Sequence, residues 1–169
     1  VTCKRVDGGK MSNYLASEVK PGMHINVMKP DGRFFTEMDS ANQKHYILVG
    51  GGSGITPLIS IIKTVLIKEP GSICTLIYGN RNSKSIIFKE ELDQLQNANT
   101  NRLNIIYTLD VAEPDWSGVT GLLTSDKISE LIKQSHGNIA NREYFLCGPE
   151  GLMQQARTAF NKLNLPSTN

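Results

Sequence analysis

The chain is 169 residues long, 39% hydrophobic and 20% charged, with 18 Lys and Arg against 16 Asp and Glu for a formal charge of +2. These ordinary globular values exclude a disordered or fibrous class, and the length suits one full domain with part of a second. Basic and acidic residues interleave without a basic stripe, which argues against nucleic-acid and membrane partners; no apolar run reaches the roughly 18 residues of a membrane helix, and no signal-peptide layout opens the chain.

The first 40 residues hold strand-like Thr2–Val6 and Ile25–Met28, a short helical stretch over Ser12–Glu18, and turn signals at Asp7-Gly8-Gly9, Pro21-Gly22 and Pro30-Asp31-Gly32. This reads as the tail of an all-β domain, and about 40 residues are too few for a core of their own. From Lys44 onward the pattern changes. Apolar strands are expected at His45–Val49, Ile73–Tyr78, Leu103–Leu109 and Glu143–Cys147. Helices are expected between and after them at Pro57–Lys68, Ile86–Asn97, Thr124–Gln134 and Glu150–Leu163, the first with Leu58, Ile61, Ile62, Val65 and Leu66 on one face. Strand and helix in alternation imply an α/β fold: an open parallel sheet with helices on both faces over residues 41–169, preceded by the all-β remnant at 1–40. In such a sheet the ligand lies beyond the carboxyl ends of the strands, where residues 50–54, 79–81, 109–111 and 147–151 gather.

The run Ile47-Leu48-Val49-Gly50-Gly51-Gly52-Ser53-Gly54-Ile55-Thr56-Pro57 breaks from an apolar strand into a glycine turn that opens a helix. Glycines let a backbone approach a pyrophosphate, and helix N–H groups point at the negative charge. The pattern from Gly52 is Gly-x-Gly-x-x-Pro rather than the usual dinucleotide fingerprint, with Thr56 expected as the N-cap and Pro57 as the first helical residue. A purely structural turn is the competing reading. No carboxylate ends the second strand to grip a ribose. Instead, Arg81, Ser83 and Lys84 suit a 2′-phosphate, which favours NADPH over NADH; a solvated basic loop is the alternative. A methyltransferase on a similar sheet would need the missing acid.

Cys147 ends an apolar strand and is followed by Gly148 and Pro149, so it faces the same crevice. No histidine is placed to act as its base, which leaves it as a packing partner for a nicotinamide face or as a core residue. Cys3, Cys74 and Cys147 are odd in number and far apart, which argues for a reducing, cytoplasmic compartment. His24, His45 and His136 lack ligand spacing, and no metal site is expected.

Gly-Gly-Gly-Ser-Gly-Ile-Thr-Pro at 50–57, Tyr-Gly-Asn-Arg at 78–81, Phe-Lys-Glu-Glu-Leu at 88–92 and Cys-Gly-Pro-Glu-Gly-Leu-Met at 147–153 together resemble the ferredoxin–NADP reductase superfamily, in order and in spacing. Within it the chain is most similar to reductase components of bacterial oxygenases, particularly the phenylacetyl-CoA oxygenase reductase group of phenylacetate degradation. The resemblance implies a flavin-binding β-barrel ahead of the nucleotide domain, with Gly9, Lys10, Met11 and Ser12 in the segment that binds the FAD pyrophosphate. It also implies hydride transfer from NAD(P)H to FAD and electron delivery to an iron–sulfur domain or protein, in an oxygenase. Implied coenzyme contacts are Gly52, Ser53, Gly54, Ile55, Thr56, Arg81, Ser83, Lys84, Asp110, Cys147, Gly148 and Pro149, with Cys147 and Thr56 as candidate catalytic residues. The family's Arg-x-Tyr-Ser flavin anchor and its plant-type cluster cysteines do not occur here, so the chain reads as a fragment of a longer reductase. For the isolated fragment, a nucleotide-binding module without catalysis is the alternative.

Overall fold

The computed structural model describes residues 3–135 and 141–165. The chain divides into two units, Val1–Phe35 and Thr36–Asn169. In the first, the described residues form one helix, α1 (Lys10–Ser17), in which no residue is buried. The strands expected at Thr2–Val6 and Ile25–Met28 do not form among the described residues. A strand is held by a neighbouring ladder and one covered face; Val6, Ile25, Val27 and Met28 are all exposed. The helix begins two residues before the expected Ser12, with Gly9 as its N-cap.

The second unit is a five-stranded parallel sheet. In chain order it contains β1 (His45–Gly51), α2 (Ile55–Lys68), β2 (Ile73–Asn80), α3 (Lys89–Ala98), β3 (Leu103–Leu109), β4 (Val119–Thr120), α4 (Ser125–Gln134), β5 (Arg142–Cys147) and α5 (Glu150–Lys162). The spatial order is β4-β3-β2-β1-β5. Register runs His45 opposite Ile73 and Arg142, so that Gly51 meets Gly79 and Gly50 meets Cys147 at the carboxyl ends.

Every residue of β1 is buried, because helices cover both faces of the sheet. Tyr46 and Leu48 join a cluster with Ile55, Leu58, Ile62 and Leu92 from the α2 and α3 side, while Ile47 and Val49 join Ile128, Ile132, Ala156 and Phe160 from α4 and α5. Each such apolar side chain contributes about 2 kcal/mol by leaving water. Beneath this core Glu69, fully buried, accepts hydrogen bonds from Tyr46 Oη, Ser72 Oγ, Asn42 Nδ2 and the Asp39 amide. The segment entering β1 is thereby tied to the end of α2.

The strands and helices of this unit follow the expected sites with small shifts. The helix expected from Ile86 begins only at Lys89, after a 3-10 turn at Ser83–Ser85 and a left-handed Phe88. Ile86 is buried and Phe88 partly buried against the core from an irregular segment, so their apolar spacing imitates a helical face without belonging to one. The two-residue β4 was not expected; its Val119 is held by register with Thr108 and by the Trp116 indole N–H donating to its carbonyl at 3.1 Å.

Candidate functional site

From β1 the chain winds through β2, β3 and β4 to one side, whereas β5 lies on the other. The strand order thus reverses between β1 and β5, and the rim at their carboxyl ends is the usual ligand position in an open α/β sheet. A 3-10 turn over Gly52–Gly54 leads out of β1 straight into α2. The expected N-cap at Thr56 is corrected by this turn: Gly54 takes the cap position, Ile55 opens the helix, and Thr56 Oγ1 donates to the Ser53 carbonyl at 3.2 Å. Pro57 is the third helical residue rather than the first, still within the turn whose N–H groups have no helical acceptor.

Two glycines make the turn possible. Gly52 has φ +51, a left-handed backbone that a side chain would strain, and open space lies where its Cβ would be. Gly54 packs so closely on the strand-end of β5 that a Cβ there would stand 2.0 Å from the Cys147 carbonyl oxygen and 2.8 Å from the Gly148 nitrogen. The glycine turn and the Cys147-Gly148-Pro149 turn are thus pressed against each other. Tyr78, fully buried in β2, donates its phenol to the Gly52 carbonyl at 2.8 Å. Burial pushes that phenol's pKa up to about 12.

Loops after β2 and β3 are also joined. The Asp110 amide donates to the Asn80 carbonyl at 3.0 Å and the Val111 amide to the Arg81 carbonyl at 2.8 Å. Arg81, Lys84 and Asp110 are exposed there. Ser83 is half-buried, and its hydroxyl donates to Glu113 Oε1 at 2.7 Å. That bond, with Lys84 nearby, holds the Glu113 carboxyl below its ordinary range. Cys147 is half-buried against the α2-side core, and burial raises its thiol pKa. A raised thiol is neutral at pH 7 and a poor nucleophile. Pro149 caps α5 with an extended backbone.

Of the expected site residues, Gly52, Ser53, Gly54, Ile55, Thr56, Cys147, Gly148 and Pro149 come together at the β1/β5 rim, and Arg81, Ser83, Lys84 and Asp110 at the linked β2/β3 loops. Gly9, Lys10, Met11 and Ser12 belong to the first unit, where Ser12 Oγ accepts from the Val6 amide at 3.1 Å. Tyr78, although it opens the Tyr-Gly-Asn-Arg motif at 78–81, and Glu113 receive no site role from the sequence. Tyr78 carried one signal, a phenol in a mostly apolar strand, since a buried tyrosine hydroxyl usually finds a partner. Glu113 carried none, because its partner Ser83 lies in the preceding loop.

A family model described as "Oxidoreductase NAD-binding domain" matches residues 48–158. The chain belongs to the oxidoreductase NAD-binding domain family. It is 34% identical over 166 residues to the E component of 1,2-phenylacetyl-CoA epoxidase of Escherichia coli (strain K12), covering 98% of this chain and 47% of that protein. It is also 34% identical over 168 residues to the ferredoxin reductase component of 3-ketosteroid-9-alpha-monooxygenase of Mycobacterium tuberculosis, covering 99% of this chain and 42% of that protein. It therefore spans less than half the length of these relatives. Among solved structures, the cytochrome b5 reductase domain of Ulva prolifera nitrate reductase superposes with a TM-score of 0.80 at 22% identity, over 94% of this chain and 61% of that one. That likeness shows the fold: the NAD-binding domain here has the reductase-type open sheet.

Proposed function

We propose that this NAD-binding domain serves an NAD(P)H-dependent flavin reductase that delivers electrons to an oxygenase. The observation that carries the reading is the close packing of the Gly52–Gly54 turn on Cys147 and Gly148 at the point where the strand order reverses. The similarity to reductase components of two oxygenase systems supports it. Residues 1–40 are read as the last part of an FAD-binding β-barrel, with Gly9, Lys10, Met11 and Ser12 toward the flavin pyrophosphate, and residues 41–169 as the coenzyme domain. The acceptor is an iron–sulfur domain or protein of the oxygenase, and the cysteine usage favours the cytoplasm.

The dinucleotide fits the residues present, since Gly54 lets the β1 turn pack on the end of β5 without a side-chain clash and open space lies at Gly52. When bound, the nicotinamide supplies a hydride and the flavin accepts it. The chain itself binds and orients. Gly52, Ser53 and Gly54 present backbone to the pyrophosphate, while Ile55 closes their turn with its N–H on the Gly52 carbonyl and Thr56 braces it through Ser53. Cys147, neutral and half-buried, backs the nicotinamide with Gly148 and Pro149 and excludes water from one face. Arg81 and Lys84 meet a 2′-phosphate, which favours NADPH; Asp110 lines the same end, and the Glu113 carboxylate works against that preference.

Titrating the purified chain with NADPH and NADH, read by quenching of its single tryptophan, Trp116, tests the reading. Saturable binding of either coenzyme is expected, and none with either would overturn it. A full-length protein that binds coenzyme but leaves its flavin oxidised on NADPH or NADH addition would leave a binding module without catalysis.

A further inference from the structure

The Gly52 carbonyl receives two hydrogen bonds. One comes from the Ile55 N–H and closes the turn on itself; the other comes from the phenol of Tyr78 and fastens the turn to β2. In a trans peptide the carbonyl and the next N–H point in opposite directions, and the chain contains no cis peptide among its described residues. With the Gly52 carbonyl drawn toward a fully buried ring, the N–H of exposed Ser53 is directed away from it, to the solvent side of the turn. The glycine that permits φ +51 also lets its peptide rotate cheaply, because glycine populates mirror-image conformations almost equally. The Ile55 bond belongs to the turn and moves with it, so an anchor outside the turn fixes this amide relative to the sheet.

We propose that Tyr78 is a positioning residue for the coenzyme: its buried hydroxyl locks the Gly52–Ser53 peptide so that the Ser53 N–H is held ready to donate to a pyrophosphate oxygen. The inference rests on the nucleotide reading above. It makes the strand residue beneath the rim, rather than any group on it, the setter of pyrophosphate affinity. Preorganisation of this kind removes an ordering cost from binding. Tyr78 itself touches no ligand in this scheme.

The test compares ADP-ribose, which carries the pyrophosphate, with adenosine 2′-monophosphate, which does not, by calorimetry on the wild-type chain and on Tyr78→Phe. The variant is expected to bind ADP-ribose about three- to tenfold more weakly and the monophosphate within about twofold of wild type. The Ser53 amide proton should shift downfield when ADP-ribose binds to wild type and fail to do so in the variant. Equal losses for both ligands, or no loss for ADP-ribose, would overturn the proposal, the first because it marks a general structural effect. Gly52→Ala provides a second route that does not depend on Tyr78→Phe folding well. Strain at φ +51 should reproduce the selective loss, and the double variant should lose no more than the worse single one, since both act on one peptide. Additive losses would overturn the shared mechanism. A wild-type chain that binds neither ligand would instead overturn the nucleotide reading, an outcome distinguishable from failure of the tether.

Discussion

Glu113 and Arg81 set opposing charges at the linked β2/β3 loops, the place proposed for the adenosine end of the coenzyme, and their balance can be measured. Ser83 directs its hydroxyl to the Glu113 carboxylate, so it is less available to a 2′-phosphate than its place beside Arg81 and Lys84 suggested. Arg81→Ala should weaken NADPH about tenfold more than NADH, the loss of one charge-assisted contact, whereas Glu113→Gln should improve NADPH relative to NADH by about two- to fivefold. Equilibrium titration with both coenzymes reads both effects; equal changes for the two coenzymes would remove these side chains from the 2′-phosphate. Cys147→Ala, in the flavin-loaded full-length protein, should slow flavin reduction in stopped-flow traces more than it weakens coenzyme binding, because the thiol is assigned to ring placement. An unchanged rate would return Cys147 to the core.

Elements matter here through how tightly they meet. The β1 turn and the end of β5 approach each other so closely that Gly54→Ala would drive a methyl group into the Cys147 carbonyl. It should destabilise the unit by about 3 kcal/mol in urea denaturation. Gly151, in the first turn of α5 with open space at its Cβ, is the contrast: Gly151→Ala should stabilise by about 0.5 to 1 kcal/mol. A Gly54→Ala protein as stable as wild type would mean that the two turns separate easily. Helices α2, α4 and α5 were legible from apolar spacing because each packs one stripe on the sheet, as Leu58, Ile62 and Val65 do. The start of α3 was not, since Ile86 and Phe88 reach the core from an irregular segment, and two-residue β4 is too short for alternation to register.

At the scale of the whole molecule, stability and acidity are linked through His45, buried at the start of β1 with Nε2 2.8 Å from Thr75 Oγ1. Burial, and then the charge of Arg142, lower its pKa from 6.5 to about 4. Above pH 6.5 the imidazole is neutral in both states, and its contribution to stability is complete; as pH falls toward 4 the unfolded chain takes up the proton first, and stability is lost. Denaturation midpoints should therefore drop by the equivalent of about 3 kcal/mol across that window, and His45→Gln should flatten the drop. A steep profile in His45→Gln would assign the acid sensitivity elsewhere, with Glu69 as the next group: burial would raise its carboxyl, but bonds from Asn42, Ser72, Asp39 and Tyr46 hold it below its ordinary range, so its share is lost only at lower pH. What the amino-acid order determined by itself was local: apolar periods that specify strands and helices, and glycines that mark where backbone must come close to something. Tertiary structure alone decided what it comes close to. Gly54 meets Cys147, Tyr78 reaches Gly52, and Ser83 finds Glu113 only because parallel crossovers bring separate strand ends to one edge, and spacing along a chain encodes conformation and burial but not the partner across a sheet.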